Sequence, residues 1–342
     1  MASDKEIFSL SGAAHLTAID WNNSYHRTSV AANLIQGTYI LECDRQKKRQ
    51  GAQALAPAWW DFFHFQLTRA LVDDTDNSII GTIYEFKYPP YNNNFQQKPP
   101  RYVIAIRGTV PKASSLSKDL KLDLQFIGNR LHQSRRFQIA MQAVQEMVTL
   151  AGAANIWLAG HSLGAAIALL AGKHMVKLGC PVETYLFNPP FTSAPIDKIK
   201  NDKVKQGVRI ASSLITAGIT AAVSSKNQKV QREDSFQVLS TWIPYLFVNP
   251  SDPISSEYVG YFEHREKMAE LGAGGIGRVA TQNSIGSLFS TALGKDIEPT
   301  HLLPSAYLTT NMNSGKDFKE CHGIHQWWKQ DSQWNFKLHQ FS

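Results

Sequence analysis

The chain is poor in cysteine, in charge of either sign and in long apolar runs, and each shortage removes a class of protein. Three cysteines, Cys43, Cys180 and Cys321, are scattered over 342 residues. An odd set without metal-ligand spacing excludes a disulfide-stapled scaffold and a structural zinc site. Charged side chains make up 18% of the residues, and 35 Lys+Arg against 28 Asp+Glu leave a formal charge of only +7. No basic stripe interleaved with aromatics stands out, so nucleic acid is not an expected partner. The basic cluster Arg45, Lys47, Lys48 and Arg49 reads as a solvated helix end or loop. No apolar run approaches the ~20 residues that span a bilayer. The longest candidate, 208–223, is broken by Arg209, two serines and two threonines. The polar start, Met1 to Glu6, leads into no apolar leader core, so a cytoplasmic protein is expected.

What remains is ample core material: 43% hydrophobic and 11% aromatic residues, too many for long disorder. The length allows one large or two smaller domains, but neither a repeat nor a composition break marks a linker. A single domain over 1–342 is expected. Its first 75 residues read as a helical N-terminal segment, with apolar residues at three- and four-residue spacing over Ser24–Leu41 and Trp59–Leu71. Beyond them the period changes. Ile79–Phe86 and Tyr102–Ile106 read as strands joined by an exposed loop rich in proline and asparagine, Arg136–Leu150 as a helix, and Asn155–Leu158 as a short strand. An alanine-rich helix from Leu163 to about Leu178 stops at Gly179 and Pro181. Thr184–Phe187 and Tyr245–Val248 are short and almost wholly apolar, as strands buried on both faces of a parallel sheet must be. Strands and helices in alternation predict an α/β fold, a mostly parallel sheet with helices on both faces.

One pentapeptide carries chemistry. Gly160-His161-Ser162-Leu163-Gly164 is a G-x-S-x-G pattern, weak alone, but it follows a buried strand and opens a helix. That setting holds a serine on a strained, exposed elbow. The glycines let strand and helix cross closely, where a Cβ would clash. A serine hydroxyl is a poor nucleophile at neutral pH, so it needs a base in reach and donors for the developing oxyanion. The N–H of Leu163, at the helix start, is one such donor. Arg107-Gly108-Thr109, directly after an earlier strand, offers a second at Thr109, with Arg107 read as an anchor for that loop. His161, before the serine, points its side chain away from the substrate and reads as a packing or orienting group.

Ile106-Arg-Gly-Thr109 after a strand, then Gly-His-Ser-Leu-Gly about fifty residues on, resembles the class 3 (fungal lipase-like) α/β-hydrolases. The resemblance is closer to a plant subgroup often labelled GDSL esterase/lipase, although no Gly-Asp-Ser-Leu occurs in this chain. It implies the α/β-hydrolase fold and a triad in the chain order serine, acid, histidine. Asp252, just past the Tyr245–Val248 strand in an Asp-Pro turn, is the expected acid, with Asp197 as runner-up. The resemblance places the histidine at the head of a His-Leu-…-Tyr segment. Thr300-His301-Leu302 to Tyr307 fits, so His301 is the expected base. His322 and His325 are its rivals; their aromatic neighbours suggest a packed C-terminal segment. His264 reads as part of a solvated helix face.

The segment 203–243 reads equally as a lid over an acyl pocket, in contact with a lipid surface, or as a core helix. The expected function is hydrolysis of carboxylic esters, lipid acyl esters foremost, through an acyl-enzyme. This chemistry calls for no cofactor and no metal. An acyltransferase with the same triad, or a non-catalytic ligand-binding protein on the same fold, are the alternatives.

Overall fold

A computed structural model describes residues 6–88, 98–109, 131–191, 237–270, 303–313 and 315–340. Eight strands form one sheet in the order in which the chain makes them: β1 (Phe65–Asp73), β2 (Ser78–Phe86), β3 (Tyr102–Ile106), β4 (Ile156–His161), β5 (Glu183–Phe187), β6 (Tyr245–Val248), β7 (Ala306–Asn311) and β8 (Trp334–His339). The strands β3 to β7 run parallel, and the antiparallel pairs β1–β2, β2–β3 and β7–β8 flank them. The mostly parallel α/β expectation holds.

Sequential order decides how the faces are covered. Right-handed crossovers between neighbouring parallel strands taken in one direction must all pass over the same face. The helices α4 (Arg135–Ala151), α5 (Leu163–Lys177) and α6 (Glu257–Glu270) accordingly share one core with Ile104, Leu158, Leu186 and Leu246. Successive strand residues point to opposite faces. Val103, Trp157, Tyr185 and Phe247 therefore belong to a second core on the far side. Among the described residues, that face is covered by the N-terminal and C-terminal parts of the chain. The N-terminal part supplies α1 (Phe8–Ser11), α2 (Ser24–Lys47) and α3 (Ala58–Asp61). The C-terminal part supplies the 3-10 turn Ile324–Trp328, which follows α7 (Phe318–His322). Trp59 and Trp327 are fully buried there; side chains of this size contribute roughly 3 kcal/mol each on burial.

The central element of this second layer is α2. Asn23 caps it by accepting from the N–H groups of Tyr25 and His26, and Lys48 ends it in the left-handed region. Arg45, Lys47 and Arg49 sit at that end on Glu42, Glu6 and Asp44, a helix terminus as expected. Within the helix, Glu42 and Asp44 are buried. Both are satisfied: Glu42 accepts from Arg45 and the Ile79 N–H, and Asp44 from Arg49 and the N–H groups of Leu55 and Ala56.

One predicted element changes type. The helical spacing over Trp59–Leu71 yields only the four-residue α3, after which His64 takes a positive φ of 62° and the chain becomes β1. Two register shifts against β2, at Leu67/Arg69 and Leu71/Val72, break the alternation of β1. Phe63, Leu67 and Leu71 imitate a helix by lying four apart in sequence, but Phe63 and Leu67 pack in one core and Leu71 in the other. The neighbouring hairpin turn at Asp73–Ser78, which pairs β1 with β2, overrides that spacing. Most of the 203–243 segment lies outside the described residues; within its described end, Leu239 and Trp242 are buried on the crossover face. Among the described residues no helix is long and apolar enough to cross a membrane.

Candidate active site

The elbow forms where β4 gives way to α5. Ser162 has φ 56° and ψ −126°, a strained conformation for a residue with a side chain. It is held on both sides: its N–H donates to the Phe187 carbonyl on β5, and its own carbonyl accepts from the N–H groups of Ala165 and Ala166. The flanking glycines are sterically required. A Cβ on Gly160 would stand 2.3 Å from the Gly164 carbonyl oxygen, and one on Gly164 would stand 2.3 Å from that of Ile106. The close crossing of strand and helix brings the Arg107–Thr109 loop against the elbow. Arg107 anchors that loop: its Nε donates to the Ile79 carbonyl at 2.5 Å, an Nη donates to the Gly108 carbonyl at 2.7 Å, and Glu42 lies 4.0 Å away. Thr109 follows in the open, its side chain exposed. Leu163, as the first helical residue of α5, has an N–H with no acceptor in its own helix.

Asp252 lies beyond the carboxyl end of β6 and is wholly buried. An isolated carboxylate there would be costly, yet this one is saturated with donors. Its Oδ2 accepts from Ser255 Oγ at 2.6 Å and Asn188 Nδ2 at 2.8 Å, and sits 2.9 Å from His322 Nδ1; its Oδ1 accepts from the Ile254 N–H at 3.0 Å. Burial pushes the Asp252 pKa up, but His322, Ser255 and Ile254 together outweigh it and hold the carboxyl below its usual range.

The imidazole beside Asp252 thus belongs to His322. The resemblance places His301 in that role, but His301 lies outside the described residues, and so does Asp197. His322 was discounted because its aromatic neighbours suggest packing. Packing is present, for its ring stacks on Phe318 at 5.0 Å. The same packing aims Nδ1 at the carboxylate, so the two readings do not compete. His325, one turn on, sits in the 3-10 segment, and His264 is half-buried on α6.

The backbone around His322 is held by buried side chains that the sequence did not single out. Gln326 Nε2 donates to the carbonyls of Cys321 at 2.7 Å and Gly323 at 3.0 Å, while its Oε1 accepts from Asn249 at 2.9 Å. Trp327 Nε1 donates to Asn188 Oδ1 at 2.8 Å, tying the C-terminal segment to the residue that also grips Asp252. His161 reaches the His322 carbonyl through Nε2 at 2.8 Å, and the two rings lie 5.0 Å apart. His322 is therefore a neighbour of the elbow as well as of Asp252. Cys321 is buried, and that burial raises its thiol pKa, which disfavours the thiolate a sulfur nucleophile needs.

Comparisons with known proteins bear on the family. A family model described as Lipase (class 3) matches residues 103–205, from β3 through the elbow and β5. An Arabidopsis thaliana protein named as a GDSL esterase/lipase is 50% identical over 352 aligned residues, spanning 100% of this chain and 99% of the relative. A lipase structure from Rhizopus microsporus var. chinensis is 16% identical with a TM-score of 0.29, covering 51% of this chain and 60% of that one, a likeness too slight to argue from. Identity at that level along the whole length, on a sheet with a serine elbow after its second parallel strand, means that the chain belongs to the class 3 lipase-like α/β-hydrolases, a family of ester hydrolases.

Proposed function

We propose that the protein hydrolyses carboxylic esters, lipid acyl esters foremost, with Ser162 as nucleophile, His322 as base and Asp252 as the acid that orients it. The observation that carries this reading is the His322–Asp252 pair, 2.9 Å apart and buried, on a histidine whose backbone is bonded to the residue before the serine. With Nδ1–H donated to Asp252, the free Nε2 can take the hydroxyl proton as Ser162 Oγ bonds to the ester carbonyl carbon. The carbonyl oxygen becomes an anion facing the N–H groups of Leu163 and Thr109. Collapse breaks the carbon–oxygen bond to the alcohol, which leaves with the proton from His322. Water, deprotonated by the same Nε2, then attacks the acyl-enzyme and frees the acid and the serine. Asp252 remains ionised throughout and stabilises the imidazolium of each step. An alcohol in place of water in the second half would give acyl transfer with the same residues.

A fluorophosphonate probe and a p-nitrophenyl ester series test the proposal together. Ser162→Ala is expected to lose both labelling and turnover. His322→Ala is expected to lower kcat by about 10⁴-fold or more, as removal of a triad member does. His301→Ala and His325→Ala are expected to stay within a few-fold of the parent. Should His301→Ala be the variant that collapses while His322→Ala turns over normally, the base is misassigned. A fully active Ser162→Ala would remove the serine mechanism.

A further inference from the structure

Outside the triad, one chain of hydrogen bonds, half-buried at Tyr39 and buried at His161, joins three segments that the reaction must hold in register. The Gly108 N–H, in the loop that leads to Thr109, donates to the hydroxyl of Tyr39 at 2.7 Å. Tyr39 Oη lies 2.9 Å from His161 Nδ1, and His161 Nε2 lies 2.8 Å from the His322 carbonyl. The donors can be assigned from the ends. A carbonyl can only accept, so His161 carries its proton on Nε2 and presents a bare Nδ1. Tyr39 must then donate to Nδ1, leaving its oxygen free to accept from Gly108. Every polar atom in the relay has one role, and the other His161 tautomer would face the His322 carbonyl with a bare Nε2.

From this geometry we infer that Tyr39 and His161 are positioning residues for ester hydrolysis, fixing the oxyanion-side loop and the base segment at a set distance from the nucleophile. The inference rests on the reading of Ser162 and His322 given above. Tyr39 belongs to α2 and so lies well outside the 103–205 span that matches the family model. The N-terminal layer, which otherwise only covers the sheet, thereby reaches the site. Clearance there is small: a Cβ on Gly108 would meet both Ser162 Cβ and Tyr39 Oη at 2.8 Å. Burial keeps the relay in its working protonation state, pushing the Tyr39 hydroxyl up to about 12 and, with the nearby His322, pulling His161 down to about 3. A phenol that stays protonated and an imidazole that stays neutral are what the assignment requires.

Tyr39→Phe removes one oxygen and keeps the ring. Activity is to be expressed per site labelled by fluorophosphonate, so that misfolded protein drops out of the measurement. The expected result is a kcat about 10- to 100-fold lower, the scale of a small misplacement at a reacting centre, with KM within two-fold. A boronic acid that forms a tetrahedral adduct on the serine should lose affinity by the same factor as kcat/KM, a change that a purely structural role would not produce. An unchanged kcat per labelled site, or unchanged boronate affinity, overturns the inference. Ser162→Ala run in parallel separates this outcome from failure of the serine mechanism, because an active Ser162→Ala overturns that reading instead.

Discussion

His161 and Asp252 are both ionisable and both buried, and the protein treats them in opposite ways. Asp252 is surrounded by donors and keeps its charge. His161 has a hydroxyl on one nitrogen and a carbonyl on the other, and its burial favours the neutral ring. Its pKa falls to about 3 in the folded state from an ordinary 6.5, with desolvation as the main cause. The unfolded chain therefore binds a proton below pH 6.5 that the folded chain refuses until about pH 3. Stability is complete above pH 6.5 and declines as the pH falls between those values, by up to about 1.4 kcal/mol per unit. Urea unfolding followed from pH 7 to pH 4 should show this slope, and His161→Gln, which cannot titrate, should flatten it. An equal slope in both proteins would mean that His161 is not held neutral by the fold.

The element that most constrains the site is the crossing of β4 and α5 against β3. With a Cβ at position 164 only 2.3 Å from the Ile106 carbonyl oxygen, Gly164→Ala must push the helix off the strand. We expect a loss of about 3 kcal/mol or more, at the upper end for overpacking, read as a lower urea midpoint with an unchanged m-value. This crossing was legible in the sequence, because the pentapeptide, the apolar strand before it and the alanines after it all state the same geometry. So were β3 and β6, whose predicted and observed limits coincide. Two features were harder to read. Strand β1 is hard to read because its register shifts break the period of two, leaving Leu67 and Leu71 on opposite faces. The contact of His322 with Asp252 is masked because a histidine flanked by Phe318, Trp327 and Trp328 reads as packing, and sequence spacing says nothing of a partner 70 residues away. Local pattern determines elements; it does not determine which side chains meet when the ends of the chain are brought together.

For the whole molecule, the order of the strands has the largest consequence. The described crossover helices lie on one face, and among the described residues the other face depends on segments from opposite ends of the sequence. These segments meet directly: Trp328 Nε1 donates to the Ser11 carbonyl at 2.8 Å, and Tyr25 Oη donates to the Trp328 carbonyl at 2.9 Å. A chain cut before Asp317 would expose Trp59, Phe187 and Phe247 on that face, all now covered. We expect such a truncation to bind a hydrophobic dye, to aggregate, and to melt without a cooperative transition. A soluble, cooperatively melting truncation would mean that the N-terminal layer suffices alone.

The meeting of the two ends also sets a timetable on the ribosome. Polypeptides emerge amino end first and begin to fold as they do so. The long α2 helix and the serine elbow are therefore exposed to the cell before the segment bearing His322 has been made. During that interval the nascent protein has a serine elbow without its neighbouring imidazole and a sheet whose tryptophans and phenylalanines lack their cover. On the proposed mechanism, competence and cover of that face arrive in one late event. A chaperone that shields the unfinished face would delay the onset of esterase activity by the same interval for which it prevents clumping.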